Sequence, residues 1–268
     1  MNIKQILAAV LCSAAFAGAA QANDLEPVIA GKHRTEAYVA RDKYRHPAET
    51  LAFFGIAPHM TVVEISPGGG WYTEILAPYL KDKGTFYAAH FPQDSDVGYY
   101  QRSLAAFKEK LAADKDNYGK VILTEFDPAS AKEIAPSGSA DAVLTFRNVH
   151  NWMRNDNDQK AFNQFFAALK PGGILGVVEH RAKPGTSRER MIESGYVTQA
   201  YVIDLAEKAG FVLEASSEVN ANPKDTADHP KGVWTLPPSL RLGDKDKDKY
   251  LAIGESDRMT LRFRKPKM

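Results

Sequence analysis

Between Val62 and Thr73 the chain reads Val-Val-Glu-Ile-Ser-Pro-Gly-Gly-Gly-Trp-Tyr-Thr. The apolar run to Ile65 predicts a buried strand, Gly68 to Gly70 a turn, and Trp71 to Leu80 a helix. Such a strand–loop–helix turns bare N–H groups and the positive end of a helix toward a ligand. Glycine lets that ligand reach main chain that a Cβ would shield. Glu64 adds an acidic side chain four residues before Gly68. Together these features suit a small molecule with a cationic head and hydroxyls better than a bare phosphate. The competing reading of Gly68–Gly70 is an ordinary turn of an α/β protein.

A second group of reactive side chains follows two later strand-like runs. Arg147, Asn148, His150, Asn151 and Trp152 leave Asp141–Phe146, while His180 and Arg181 follow Ile174–Glu179. Open α/β sheets bind ligands beyond the carboxyl ends of their strands, which places both groups on the substrate side. His150 is the first choice of general base because an unperturbed imidazole titrates near neutrality. Its competing role is capping the next helix or packing on Trp152. His150, Glu179 and His180 are all metal-ligand types, but neighbouring strand residues point to opposite faces. No compact cluster, and no metal, is therefore expected.

The elements that must hold these residues alternate regularly. Strands are expected at Thr61–Ile65, Thr85–Ala89, Val121–Glu125, Asp141–Phe146, Ile174–Glu179, Phe211–Ser216 and Arg258–Arg264. Helices are expected at Pro47–Phe54, Trp71–Leu80, Gly98–Ala113, Gln159–Leu169 and Tyr196–Ala209, with a tight turn at Lys170–Gly173. This order predicts an α/β fold with a doubly wound, mostly parallel seven-stranded sheet. Residues 23–55 are expected to form a helical lid, and Tyr44 and His46 to close over the site together with Tyr72 from beyond that segment, though Tyr72 also suits the core. A long insertion, 217–257, precedes the last strand where a crossover helix would otherwise stand, so that strand is expected to be antiparallel. The charge run Asp244–Lys249 inside it is expected to be a solvated loop.

Composition narrows the function classes. Lys+Arg number 34 and Asp+Glu 33, and Lys4 is the one charged residue before Asn23, so residues 23–268 are formally neutral. No basic excess points to nucleic acid and no basic amphipathic helix to a membrane surface, so the expected partner is a small molecule. Residues 1–22 read as a signal peptide: Lys4, an apolar run from Ile6 to Ala20, and Ala20-Gln21-Ala22 as the cleavage site. Cleavage after Ala22 implies export, with the periplasm as the expected compartment and no stable membrane anchor. Leu11 before Cys12 argues against acylation there. Cys12 is the sole cysteine, so the exported chain would have no thiolate for a zinc site or a nucleophile.

The ordered motifs resemble those of class I S-adenosylmethionine-dependent methyltransferases over about residues 45–265. Glu64-x-Ser66-x-Gly68-x-Gly70 is similar to the family's acidic, glycine-rich signature. Gly84–Ala89 resembles its second strand, Phe126-Asp127 its adenine-side aspartate, and Asp141–His150 its fourth strand and exit. Leu169–Gly173 followed by Val177–His180 resembles its fifth. Within the class, the Pro67–Tyr72 loop and Asn222–Asp225 look closest to exported bacterial methyltransferases. The resemblance implies a Rossmann-like methyltransferase fold, S-adenosyl-L-methionine as cofactor and a small-molecule methyl acceptor. It also implies that Glu64 orients the ligand's amino group or the loop, while Ser66, Gly68 and Gly70 surround the methionine part. His90 would face the ribose, Asp127 the adenine amino group, and Asn148 both the cofactor and, with His150 and His180, the reacting centre.

Two departures stand out. Ser66 replaces the first glycine, and His90 stands where the family carries an acid for the ribose hydroxyls. A catalytically silent, methyltransferase-like binding protein of the periplasm is therefore the alternative. A nicotinamide dehydrogenase fits less well, because Gly68-x-Gly70-x-x-Thr73 lacks the third glycine and no acid closes the second strand.

Overall fold

The computed structural model describes residues 25–130 and 132–267, so the expected signal peptide lies outside the described residues. Strands β1 (Thr61–Ile65), β2 (Thr85–His90), β3 (Ile122–Glu125), β4 (Ala140–Phe146), β5 (Leu169–His180), β6 (Val212–Ser217) and β8 (Arg258–Arg264) form one seven-stranded sheet in the order β3-β2-β1-β4-β5-β8-β6. A short strand, β7 (Pro230–Val233), stands apart from it. Strands β1 to β5 pair in parallel, and β8 runs antiparallel to both β5 and β6. The doubly wound α/β expectation and its antiparallel last strand thus hold. The strand order reverses between β1 and β4, which are neighbours with Ile65 opposite Thr145. A crevice opens at such a switch point in open α/β sheets.

Strand alternation distributes the core over two faces. Val63, Ile65, Val143, Leu175 and Val177 pack with Phe162 and Phe165 of the helix Asp158–Ala168. Val62 and Leu144 meet Ile75 and Leu76 of the helix Thr73–Leu80, and Phe54 of the helix Pro47–Phe54. Glu64 shares the second face with Val62, which explains how an acid at the strand's end becomes buried beneath the loop. Gly176 allows β5 to approach this layer, since a Cβ there would lie 2.7 Å from Leu144 and 2.9 Å from Phe54.

Local structure departs from expectation at three places. The turn expected at Lys170–Gly173 is absorbed into β5, where Gly172 takes φ 80° and donates its N–H to the Lys265 carbonyl at 2.8 Å. The helix expected at Tyr196–Ala209 is split from an earlier one, Arg188–Ser194, ended by Gly195 at φ 75°. It restarts at Gln199, behind a Thr198 side chain that accepts the Tyr201 N–H. Part of the charge run expected as loop forms the helix Lys247–Ile253, anchored by buried Tyr250. Among the described residues, no helix is long and apolar enough to cross a membrane.

Candidate functional site

The loop after β1 is held by its own backbone. Ser66 takes φ 48° and donates its N–H to Ala89 O at 2.8 Å, tying β1 to β2. Gly68 and Gly70 also have positive φ, 58° and 83°. A Cβ on Gly68 would meet nothing within 4 Å, whereas one on Gly70 would press on Phe107 at 3.1 Å. Gly68 therefore faces open space and Gly70 faces protein. Below the loop, Glu64 is buried and accepts the Thr73 hydroxyl at 2.7 Å. Burial raises its carboxyl to about 7, partly offset by the Thr73 bond and by the positive charge of Arg147.

Two residues assigned to the nucleoside end sit differently from expectation. His90 is fully buried and outside the cavity lining. Its Nδ1 accepts the Phe91 N–H at 2.8 Å, so Nε2 carries the proton and donates to Gly68 O at 3.2 Å. Burial holds this imidazole below its ordinary pKa, with the Gly68 bond opposing. His90 thus clamps the glycine loop from beneath instead of opening toward a ribose. Asp127 lies outside the cavity and spends Oδ1 on the Ala129 N–H at 2.9 Å, the turn-capping role that competed with an adenine contact.

At the exits of β4 and β5 the expected residues do converge. Asn148 spans the switch point, donating its amide to Ile65 O at 3.1 Å and to Thr145 Oγ1 at 3.3 Å. Glu179 curls over the strand end. Its Oε2 accepts the Val149 N–H at 2.6 Å, and Oε1 accepts the His180 N–H at 2.8 Å and bonds His150 Nδ1 at 3.1 Å. A buried carboxylate at Nδ1 favours the tautomer protonated there and leaves Nε2 as the basic nitrogen. The His180 ring lies 5.4 Å from that of His150 and takes Ser256 as partner at 2.5 Å. Burial, then His150 and nearby arginines, hold His180 neutral, well below its usual pKa.

The expectation that strand alternation keeps this trio apart is overturned. Potential ligand atoms of His150, Glu179 and His180 lie within 4.8 Å of one another, because the Glu179 side chain bends back past its own strand end. The three are thus a possible cation site. Both carboxylate oxygens already serve N–H groups, so the geometry first orients His150.

Two distant segments roof the crevice. Glu74, fully buried in the helix Thr73–Leu80, anchors the first. It accepts Thr35 N at 2.9 Å and Thr35 Oγ1 at 2.6 Å, and pairs with Lys110. Tyr38 then donates its hydroxyl to Gly69 O at 3.0 Å and receives the Trp71 indole N–H on its carbonyl at 3.0 Å. From the expected lid, Tyr38, Arg41 and Arg45 line the cavity while Tyr44 and His46 do not. Tyr72 does both jobs, lining the cavity and stacking on Phe146 at 3.5 Å. From the 217–257 insertion come Trp234, Pro237, Pro238, Ser239 and Arg241. Asp225 organises that insertion by accepting from Tyr196 Oη at 2.9 Å, Ala227 N at 2.9 Å and Asp257 N at 2.8 Å, and by bonding His229 at 2.8 Å.

Sequence reasoning missed an arginine cluster in the cavity wall. Glu255 pairs with Arg41 at 2.5 Å, Arg45 at 3.2 Å and Arg258 at 2.8 Å. Burial alone would raise its carboxyl, but Arg45, Arg258 and Arg41 pull it down to about 2. A half-open cavity of about 900 Å³ joins this cluster, Glu64, the glycine loop, Asn148 and His150. It has room for a nucleoside-sized ligand beside an oriented base.

Comparisons place this architecture. No family model and no curated protein matches the chain. A solved S-adenosylmethionine-dependent methyltransferase from Aquifex aeolicus matches at TM-score 0.56 and 16% identity, over 84% of this chain and 93% of that one. The [4+2]-cyclase SpnF matches at TM-score 0.58 and 16% identity, over 89% and 86%. Haemonchus contortus phosphoethanolamine N-methyltransferase 2, solved with S-adenosyl-L-methionine, matches at TM-score 0.56 and 17% identity, over 91% of this chain and 60% of that one. The chain therefore has the class I methyltransferase fold. The cyclase in this company shows that the fold alone leaves the reaction open.

Proposed function

We propose that the protein is an exported S-adenosylmethionine-dependent methyltransferase acting on a small-molecule acceptor. One observation carries the reading: the open edge of the glycine loop, buried Glu64 and the Glu179-oriented His150 serve the same cavity. The residues present fit the cofactor's amino-acid end, because Gly68 leaves unfilled space beside a buried carboxylate. The bound cofactor would supply an activated methyl group. Glu64 and Asn148 would hold its amino-acid end, with Ser66, Gly68 and Gly70 around it. His150 Nε2 would take a proton from an acceptor that must lose one. The roof would exclude water and align the two reactants. Lys4, the apolar run and Ala20-Gln21-Ala22 support cleavage after Ala22 and release to the periplasm.

The alternative, a silent binding protein of the same fold, is favoured by His90, which leaves the end of β2 without a carboxylate for ribose hydroxyls. Calorimetric titration with S-adenosylmethionine, its demethylated product and NAD separates the readings. Heat with the first two and none with NAD supports the proposal, and no heat with either of the first two removes it. Gly68→Trp, which fills the open edge, should abolish binding without unfolding the protein; retained affinity would move the site elsewhere. Edman sequencing of the protein from a periplasmic fraction, starting at Asn23, would support export.

A further inference from the structure

Arg147 is the first residue beyond β4 and takes φ 62°, a left-handed conformation that turns it into the cavity wall. Its Nη1 is sealed from solvent and has no hydrogen-bond partner among the described residues. Among the described residues no carboxylate lies within ion-pair distance of it, and Glu255 is already shared by Arg41, Arg45 and Arg258. Four guanidiniums thus face Glu255 and, through Arg147, Glu64, which leaves a local surplus of at least two positive charges. Burial and this crowding lower Arg45 to about 9 and Arg147 to about 10. Arg241 adds a further cation to the lining, its guanidinium 4.6 Å over the Trp234 ring. Unpaired buried charge is costly, so a site built this way is completed by an anion.

The methyl donor does not supply that anion in sufficient amount. S-adenosylmethionine carries a sulfonium, an ammonium and one carboxylate, so it enters with net positive charge and adds to the surplus. The ammonium is also the partner that Glu64 serves. The negative charge must therefore come from the other reactant. We infer that the methyl acceptor is an anion, carrying a carboxylate or phosphate that docks on Arg147 with Arg41 and Arg45. Guanidinium suits either group through paired N–H donors. This inference rests on the methyltransferase reading for the word acceptor, while the anion site stands on the arginines alone.

The test is calorimetry on the full chain at constant ionic strength, using inorganic phosphate and benzoate separately, with and without S-adenosylmethionine. Saturable binding of either, with a dissociation constant on the order of millimolar, is expected, and the preferred one distinguishes phosphate from carboxylate. Arg147→Met should weaken it roughly tenfold, and Arg147→Lys by clearly less. Saturating S-adenosylmethionine should leave anion binding unchanged or tighten it. Competition between the two would assign Arg147 to the donor's own carboxylate and overturn the inference. So would the absence of saturable heat from both anions at about 20 mM. Should Arg147→Met fail to fold, the competition arm with the native protein still decides. Anion binding without any S-adenosylmethionine binding would keep the anion site and reject the enzyme.

Discussion

Lowering the pH should weaken S-adenosylmethionine binding through one buried carboxyl. Glu64 titrates at about 7, because burial penalises its charge. The ligand's ammonium needs the ionised form. From the titration curve of such a group, the ionised fraction falls about eightfold between pH 7.5 and pH 6, and affinity should fall by the same factor. Stability moves the other way. A carboxyl raised above its unfolded value favours the protonated folded state, so the stabilisation is full below about 4.5 and is lost as pH rises toward 7. The shift corresponds to about 3 kcal/mol at most. Glu64→Gln keeps an oxygen for the Thr73 hydroxyl and removes the titration. The assay is calorimetric titration of wild type and Glu64→Gln at both pH values, with urea unfolding alongside. The variant should bind weakly at both, with less than about a twofold difference, and show a flatter stability profile between pH 5 and 7. A pH-independent affinity in the wild type, or an equal slope in the variant, would refute the role given to Glu64.

Other consequences are open to direct measurement. Glu74→Ala strips Thr35, Lys110 and Arg34 of their buried acid and should cost about 3 kcal/mol or more in urea unfolding, with faster proteolysis before residue 55. Asp225→Ala should cost about 2–4 kcal/mol in the same assay by orphaning Tyr196, Ala227 and Asp257. Gly176→Val should lower the melting temperature by overpacking Leu144 and Phe54, at about 1–3 kcal/mol. Nitrogen-15 NMR of neutral His150 should show the Nδ1–H tautomer, and Glu179→Gln should remove that preference; an Nε2–H tautomer in wild type would contradict the base assignment.

The fold was largely legible in the chain because each strand is bounded by its own turn chemistry. Pro47–Phe54, Thr61–Ile65, Gly98–Ala113 and Arg258–Arg264 form over the residues expected. The break at Gly195 carried a readable signal, since Ser187 and Thr198 are cap residues and Gly195 a helix stop. The site was legible only in part. Glu64, the glycine loop, Asn148 and His150 follow directly from strand ends. Arg45 and Glu255 are separated by more than two hundred residues, so no spacing rule connects them. Glu179 and His180 misled because alternation governs a strand's interior, whereas a side chain at its exit bends freely over the end. His90 carried no signal that its two nitrogens would be consumed by Phe91 and Gly68.

The position of β8 between β5 and β6 makes two strands depend on it. Among the described residues, β8 is an interior plank of the sheet, and β6 pairs with no other strand. Shortening the chain before Arg258 would bare the edge of β5 and leave β6 unpaired, inviting aggregation.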